Sequence, residues 1–183
     1  MNHEIATAVA CFFVQQSTAK KLNDLVLMKL LYISERRALI QLGTPIICDE
    51  YFSMKNGPVL SGVLSLMQGA QNQFWSDHLI FVPHDGQTSN HIVLRQPLDP
   101  AKYLSEAELD LLQGVWSEFG HRGKWQLVDL THNFPEWDST LTDATGGSRR
   151  SPISVEDILH KGFSMGAQEA SQRAKDLQYY NSL

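Results

Sequence analysis

The stretch KLLYISERRALIQLGTPIICDEYFSMKNGPV, Lys29 to Val59, decides the architecture. It joins a nearly all-apolar helical pattern to a turn punctuated by Gly and Pro. Between Leu25 and Leu42 the apolar residues fall on several stripes at once, with Leu27, Leu31, Ala38 and Leu42 on one and Leu25, Met28, Tyr32 and Leu39 on another. A helix apolar most of the way round belongs in the middle of a core rather than on its surface. Lys29, Ser34, Glu35, Arg36 and Arg37 are nevertheless embedded in it, so charge must lie against buried surface and find partners there. Asp49 and Glu50 follow soon after. The expected arrangement is an arginine and Asp49 pinning the turn against the helix by charge-assisted hydrogen bonds. Read as chemistry instead, the same cluster would be an acid–base site beside Tyr51.

The central helix is bounded by local signals. Asn23 is placed to N-cap it, its side chain accepting from an orphan backbone donor. Gly43 sits at the C′ position, where left-handed geometry is cheap, and Thr44-Pro45 forces an extended exit. Tyr51, Phe52 and Ser53 read as a short strand. Asn56-Gly57-Pro58 reads as a turn, with Pro58 opening a helix that carries Val59, Leu60, Val63, Leu64 and Met67.

Outward from this stretch, Ile5, Val9, Phe12 and Phe13 recur at helical spacing over residues 3–16, and a polar break follows from Gln15 to Lys21. Residues 79–94, LIFVPHDGQTSNHIVL, read as two β-rich runs around Asp85-Gly86, and Pro83 makes this a loose edge hairpin. Ser105 and Glu108 form a capping box for a helix stopping near Gly120, and a shorter apolar pattern runs from Trp125 to Leu130. Residues 139–153 read as a flexible loop and residues 154–183 as a C-terminal helical segment, capped by Ser154 and Asp157, whose tail from Gly166 is a surface helix. The fold class is mainly α: a single helical domain over residues 1–183 around a central buried helix, with a small antiparallel β-hairpin.

At 183 residues such a chain buries roughly 70% of its unfolded surface, enough for a self-supporting core. Its 43% apolar content argues against wholesale disorder, and its net charge of −5 against a general binder of nucleic acid or anionic membrane. Two cysteines, Cys11 and Cys48, read as free thiols. The N-terminus lacks a signal-peptide pattern, and the expected location is the cytoplasm.

Standard catalytic motifs are absent: no HExxH, G-x-S-x-G, Walker or G-x-G-x-x-G sequence occurs. His84 and His91 flank the hairpin turn and could face one another, but zinc wants three or four ligands, so no metal or other cofactor is expected. His132, with Asp138 or Asp49, can be drawn as a general base with an orienting acid; alternatively it bonds a backbone carbonyl and ties a helix end to the core. Gly146-Gly147-Ser148-Arg149-Arg150 could bind an anion or be a solvated loop.

Ordered motifs carry a resemblance. The chain supplies Lys29-Leu30-Leu31-Tyr32, Gly43-Thr44-Pro45-Ile46, Asp49 and Tyr51, Met54-Lys55-Asn56-Gly57-Pro58-Val59, then Leu127 with Thr131-His132 and Trp137. In these it resembles the SocA-like antitoxin, or Panacea, domain over about residues 5–137. The resemblance implies a mostly helical, non-catalytic protein of bacteria or their phages that neutralises a toxin encoded beside it by direct binding. It also implies toxins of varied mechanism among relatives, one of which is presented to a protease, so a protease or chaperone is a possible further partner. Tyr32, Arg36, Asp49, Tyr51, Met54, Asn56 and Trp137 are the expected partner-binding residues, and Lys29, Gly43, Pro45, Gly57, Pro58, Thr131 and His132 the structural motif. Tyr32, Tyr51, Phe52, Met54 and Trp75, if solvent-reaching, have the composition of an interface hot spot. The alternatives are a small hydrolase using His132 with Asp49 or Asp138, and a DNA-binding regulator, against which the acidic balance and the lack of a separate helix-turn-helix segment speak.

Overall fold

A computed structural model describes residues 1–86, 89–141 and 149–180. The first helix, α1 (His3–Gln16), is N-capped by Asn2 and buries Val9, Phe12 and Phe13. A short strand, β1 (Lys21–Asn23), leads into α2 (Asp24–Gln41). Asn23 caps α2 as expected, its side chain accepting from the Leu25 and Val26 amides. Gly43, at φ +81°, turns the chain after the helix.

α2 is the axle of the molecule. Leu27, Leu30, Leu31, Tyr32 and Leu39 are fully buried, and so are Lys29 and Glu35. Around it pack α5 (Glu106–Phe119), α6 (Lys124–His132), α1 and two small sheets. α5 starts at the capping box, with the Glu108 carboxylate 2.7 Å from the Ser105 amide. Helical segments and small antiparallel sheets enclosing one apolar core make a mainly α fold, as the sequence implies.

The sheets depart from the expected single hairpin. β4 (Leu79–Val82) and β5 (His91–Leu94) pair antiparallel as expected, with β4 at an edge, but β1 adds to β5 on the other side. β1 occupies the end of the expected polar break because Leu22 buries itself opposite Ile92.

The second sheet was unexpected. β2 (Tyr51–Met54) pairs with β3 (Gly57–Leu60) across a two-residue turn at Lys55-Asn56, and β6 (Ser151–Ile153) closes its other side. Pro58 is therefore a strand residue rather than the first residue of a helix, and α3 spans Ser61–Met67. An edge strand tolerates a proline, and β3 is an edge strand. Gly57, at φ +94°, is required twice over: a Cβ there would lie 2.7 Å from Thr131 Oγ1 and 2.9 Å from Lys29 Nζ.

Between the sheets lies α4 (Gln73–His78), and at the C-terminus α7 (Val155–Asp157) runs through a π-helical turn at Ile158–Gly162. α7 carries the expected Ser154–Asp157 capping box. α8 (Ala167–Tyr180) buries Ala170 and Ala174 under a polar exterior. Of the expected flexible loop, residues 151–153 are strand, and residues 142–148, with Gly146, Gly147 and Ser148, lie outside the described residues.

Candidate functional site

The charges embedded in α2 each have a built destination. Successive helical residues point about 100° apart, so Glu35 and Arg36 address different neighbours, while Tyr32 and Arg36, four apart, share one. Glu35 Oε1 accepts from the amides of Ile46 and Ile47, both at 2.8 Å, and Oε2 from the Cys48 amide at 3.2 Å and the Tyr51 hydroxyl at 2.9 Å. Three consecutive amides thus wrap one carboxylate, with Cys48 held at φ +57°. Burial pushes the Glu35 pKa up to about 7, while the donors from Ile47, Tyr51, Ile46 and Cys48 pull it down.

This corrects the expected pin. The turn is fastened to the helix, but by Glu35. Asp49 bonds neither arginine: its two oxygens accept from the Gly62 and Val63 amides, at 3.0 and 2.9 Å, and so cap the start of α3. Arg37 reaches Glu118 on α5.

Arg36 enters a second buried cluster. Its Nε donates to Glu136 Oε1 at 2.7 Å, and the Tyr32 hydroxyl donates to the same oxygen at 3.2 Å. The guanidinium lies between the rings of Phe134 and Phe163, 4.2 and 4.3 Å from their centroids, and donates to the Gly162 carbonyl. The Tyr32 hydroxyl is held well above its ordinary pKa by burial and by Glu136.

Lys29 donates from Nζ to the Pro58 carbonyl at 2.8 Å, tying β3 to α2. Burial lowers its pKa to about 7. Close by, His132 stacks on Trp137 with ring centroids 3.8 Å apart, and the Trp137 indole donates to the Met54 carbonyl at 3.0 Å. Burial and the Lys29 charge lower the His132 pKa, while a hydrogen bond to the Lys55 backbone raises it. His132 therefore ties a helix end to the hairpin. Both acids considered as its catalytic partners are engaged elsewhere, Asp49 at α3 and Asp138 with Thr140. Among the described residues no group of three or more His, Cys, Asp or Glu could hold a metal ion.

The expected solvent-reaching set is mostly core. Tyr32 is fully enclosed, Tyr51 and Trp75 are buried at 4% and 3% exposure, and Trp137 is buried too. A ring at these positions packs against the core and has no surface to present. Met54 and Asn56 differ: Met54 is half-buried, Asn56 is exposed, and both line an open groove.

That groove is walled mainly by apolar side chains. Its main chamber, about 340 Å³, lies between the start of α2, the β2–β3 hairpin, α3 and β4. Met28, Val59 and Met67 form a buried floor, and Leu25, Leu64 and Phe81 are half-exposed walls. Past Met54 and Leu64 it continues into a smaller stretch ending at Phe52 and Arg150, and past Asn56 into a polar one ending at Lys124. Apart from Met54 and Asn56, sequence reading missed the groove's lining because it comes from separate elements. The embedded charges of α2 did signal Glu35, whereas nothing in the sequence singled out Glu136.

Fold and site together define a mainly helical domain whose signature residues fasten a β-hairpin and two loops to one central helix. The family model described as antitoxin SocA-like, Panacea domain, matches residues 27–138, more than half of the chain, and the chain belongs to that family. No curated protein and no solved structure matches it. No helix among the described residues is long and apolar enough to cross a membrane.

Proposed function

We propose that the chain is the antitoxin of a toxin–antitoxin pair, encoded by a bacterium or its phage, and neutralises a cognate toxin encoded beside it by direct protein–protein binding in the bacterial cytoplasm. The observation that carries this reading is where the family's motif residues go. Lys29, His132 and Trp137 are spent on fastening the hairpin that carries Met54 and Asn56, and Gly57 lets that hairpin approach Lys29 and Thr131 closely. A motif that shapes a surface instead of assembling an acid–base pair suits a protein that acts by contact. The hydrolase reading has no such support, since neither Asp49 nor Asp138 bonds His132.

Capping the toxin is the primary act in this reading, and presentation to a protease or chaperone is a later step that the same complex permits. The test is co-expression with each adjacent open reading frame. The expected outcome is one frame that arrests growth alone, is harmless in the pair, and co-purifies stoichiometrically. Persistent arrest in every pair removes the reading.

A further inference from the structure

We propose that the groove over Met28, Val59 and Met67 seats an acidic, apolar segment of the toxin, whose large side chains fill the floor and whose carboxylates meet Lys55, Lys124 and Arg150. This deepens the antitoxin reading and rests on it.

Charge is the first argument. The chain carries a net charge of −5, yet among the described residues the three connected stretches of the groove are lined by Lys55, Lys124 and Arg150 and by one acid, Asp24. Asp24 is already occupied, accepting from the Leu25 amide at 2.8 Å and the Asn90 side chain at 3.0 Å. Among the described residues none of the three cations is in an ion pair, the pairs being Arg36–Glu136, Arg37–Glu118 and Lys161–Asp157. Lys124 donates to the neutral Ser89 hydroxyl at 3.1 Å, and Arg150 lies over the Phe52 ring at 4.4 Å. A groove that carries three cations beside a single acid already bonded within the protein is complementary to an acidic partner, which sets orientation and association rate.

Shape is the second. The chambers share lining residues end to end, with Arg150 at one extreme and Lys124 at the other, so the cations bracket an apolar track. Beside the Lys124 end, Trp125 is 57% exposed, its ring centroid 5.3 Å from Lys124 Nζ. An exposed tryptophan next to a cation-rimmed apolar track has the composition of a protein-binding hot spot. The three methionines lining the main chamber, Met28, Met54 and Met67, can repack around partner side chains of different shape.

The experiment measures the affinity of the purified full chain for the toxic product identified by co-expression, at low and high salt. Lys55→Glu, Lys124→Glu and Arg150→Glu are made singly and together, with Lys175→Glu, outside the groove, as the control. The triple reversal is expected to weaken binding on the order of a hundredfold with Tm retained, each single reversal less, and the control not at all. Reversing a toxin acid to lysine is expected to restore part of the loss. Wild-type affinity in the triple variant overturns the groove proposal and leaves the antitoxin reading standing. Failure of every adjacent product to bind the wild type overturns both. Should the triple variant unfold, the single reversals at exposed Lys55 and Arg150 decide by the same criterion. Recovery of a bound amphiphile, or of a wild-type dimer that the reversals split, gives the groove a different occupant and overturns the proposal.

Discussion

Two regions along the central helix solve opposite problems. Towards its C-terminal half lie the buried polar clusters around Glu35 and Glu136, where each charged group has a geometric partner. At its first turns lies the groove, where apolar walls stand half-open and, among the described residues, its rim cations form no ion pair. The first region is expensive to disturb, because a buried donor stripped of its acceptor keeps its full desolvation cost. The second is cheap to alter, because its side chains already touch water. In the proposed reading, stability is assigned to the later turns of one helix and recognition to its first turns, so the groove can change while the fastening stays fixed.

The sharpest break of this contrast is Glu35→Ala, which orphans three amides and the Tyr51 hydroxyl in the core. A loss of about 4 kcal/mol or more is expected in denaturant unfolding, and a loss as small as a surface substitution gives would remove Glu35 from its fastening role. Next comes Lys29→Met, read against pH. The Lys29 pKa is lowered from 10.5 to about 7, so as pH falls through that window the unfolded chain takes up a proton that the folded chain does not. Wild-type stability should therefore fall from pH 10.5 to about 7, by about 1 kcal/mol per pH unit, relative to the variant. Parallel curves for the two proteins would mean that the amine is not desolvated.

Smaller still is Asp49→Ala, which uncaps α3 and should cost about 1 kcal/mol. At the bottom, Lys55→Ala should leave stability within about 0.5 kcal/mol. A large drop in its Tm would show that the groove rim is part of the scaffold and would dissolve the contrast.

The legible parts of the sequence were those set by local chemistry. Asn23, Gly43, the Ser105–Glu108 box and the Ser154–Asp157 box each act within a few residues, and each cap stands where the pattern puts it. The burial of α2 was legible as well, since its apolar stripes run round the helix. Long-range pairing was not. Lys21–Asn23 becomes a strand only because residues 91–93 arrive beside it, and Ser151–Ile153 only because β2 is there. Pro58 reads as a helix start until Gly57 closes a hairpin that turns it into an edge strand. The pin was half legible: the need for a partner was plain from the embedded charge, but proximity pointed to Asp49. One helical residue of rotation hands the turn to Glu35 and sends Arg36 to Glu136. Of the expected contact residues, Met54 and Asn56 line the groove, while the aromatic ones were claimed by the core.

The family match ends at residue 138, but the second sheet does not, since β6 at residues 151–153 covers the outer side of β2. Trimming the chain back to the shared stretch would strip that cover and leave β2 with a row of unsatisfied amides and carbonyls, a template for other strands. The shortened protein would fail by sticking to its own copies before any question of toxin arose. The segment beyond the family match is thus what covers the open side of β2.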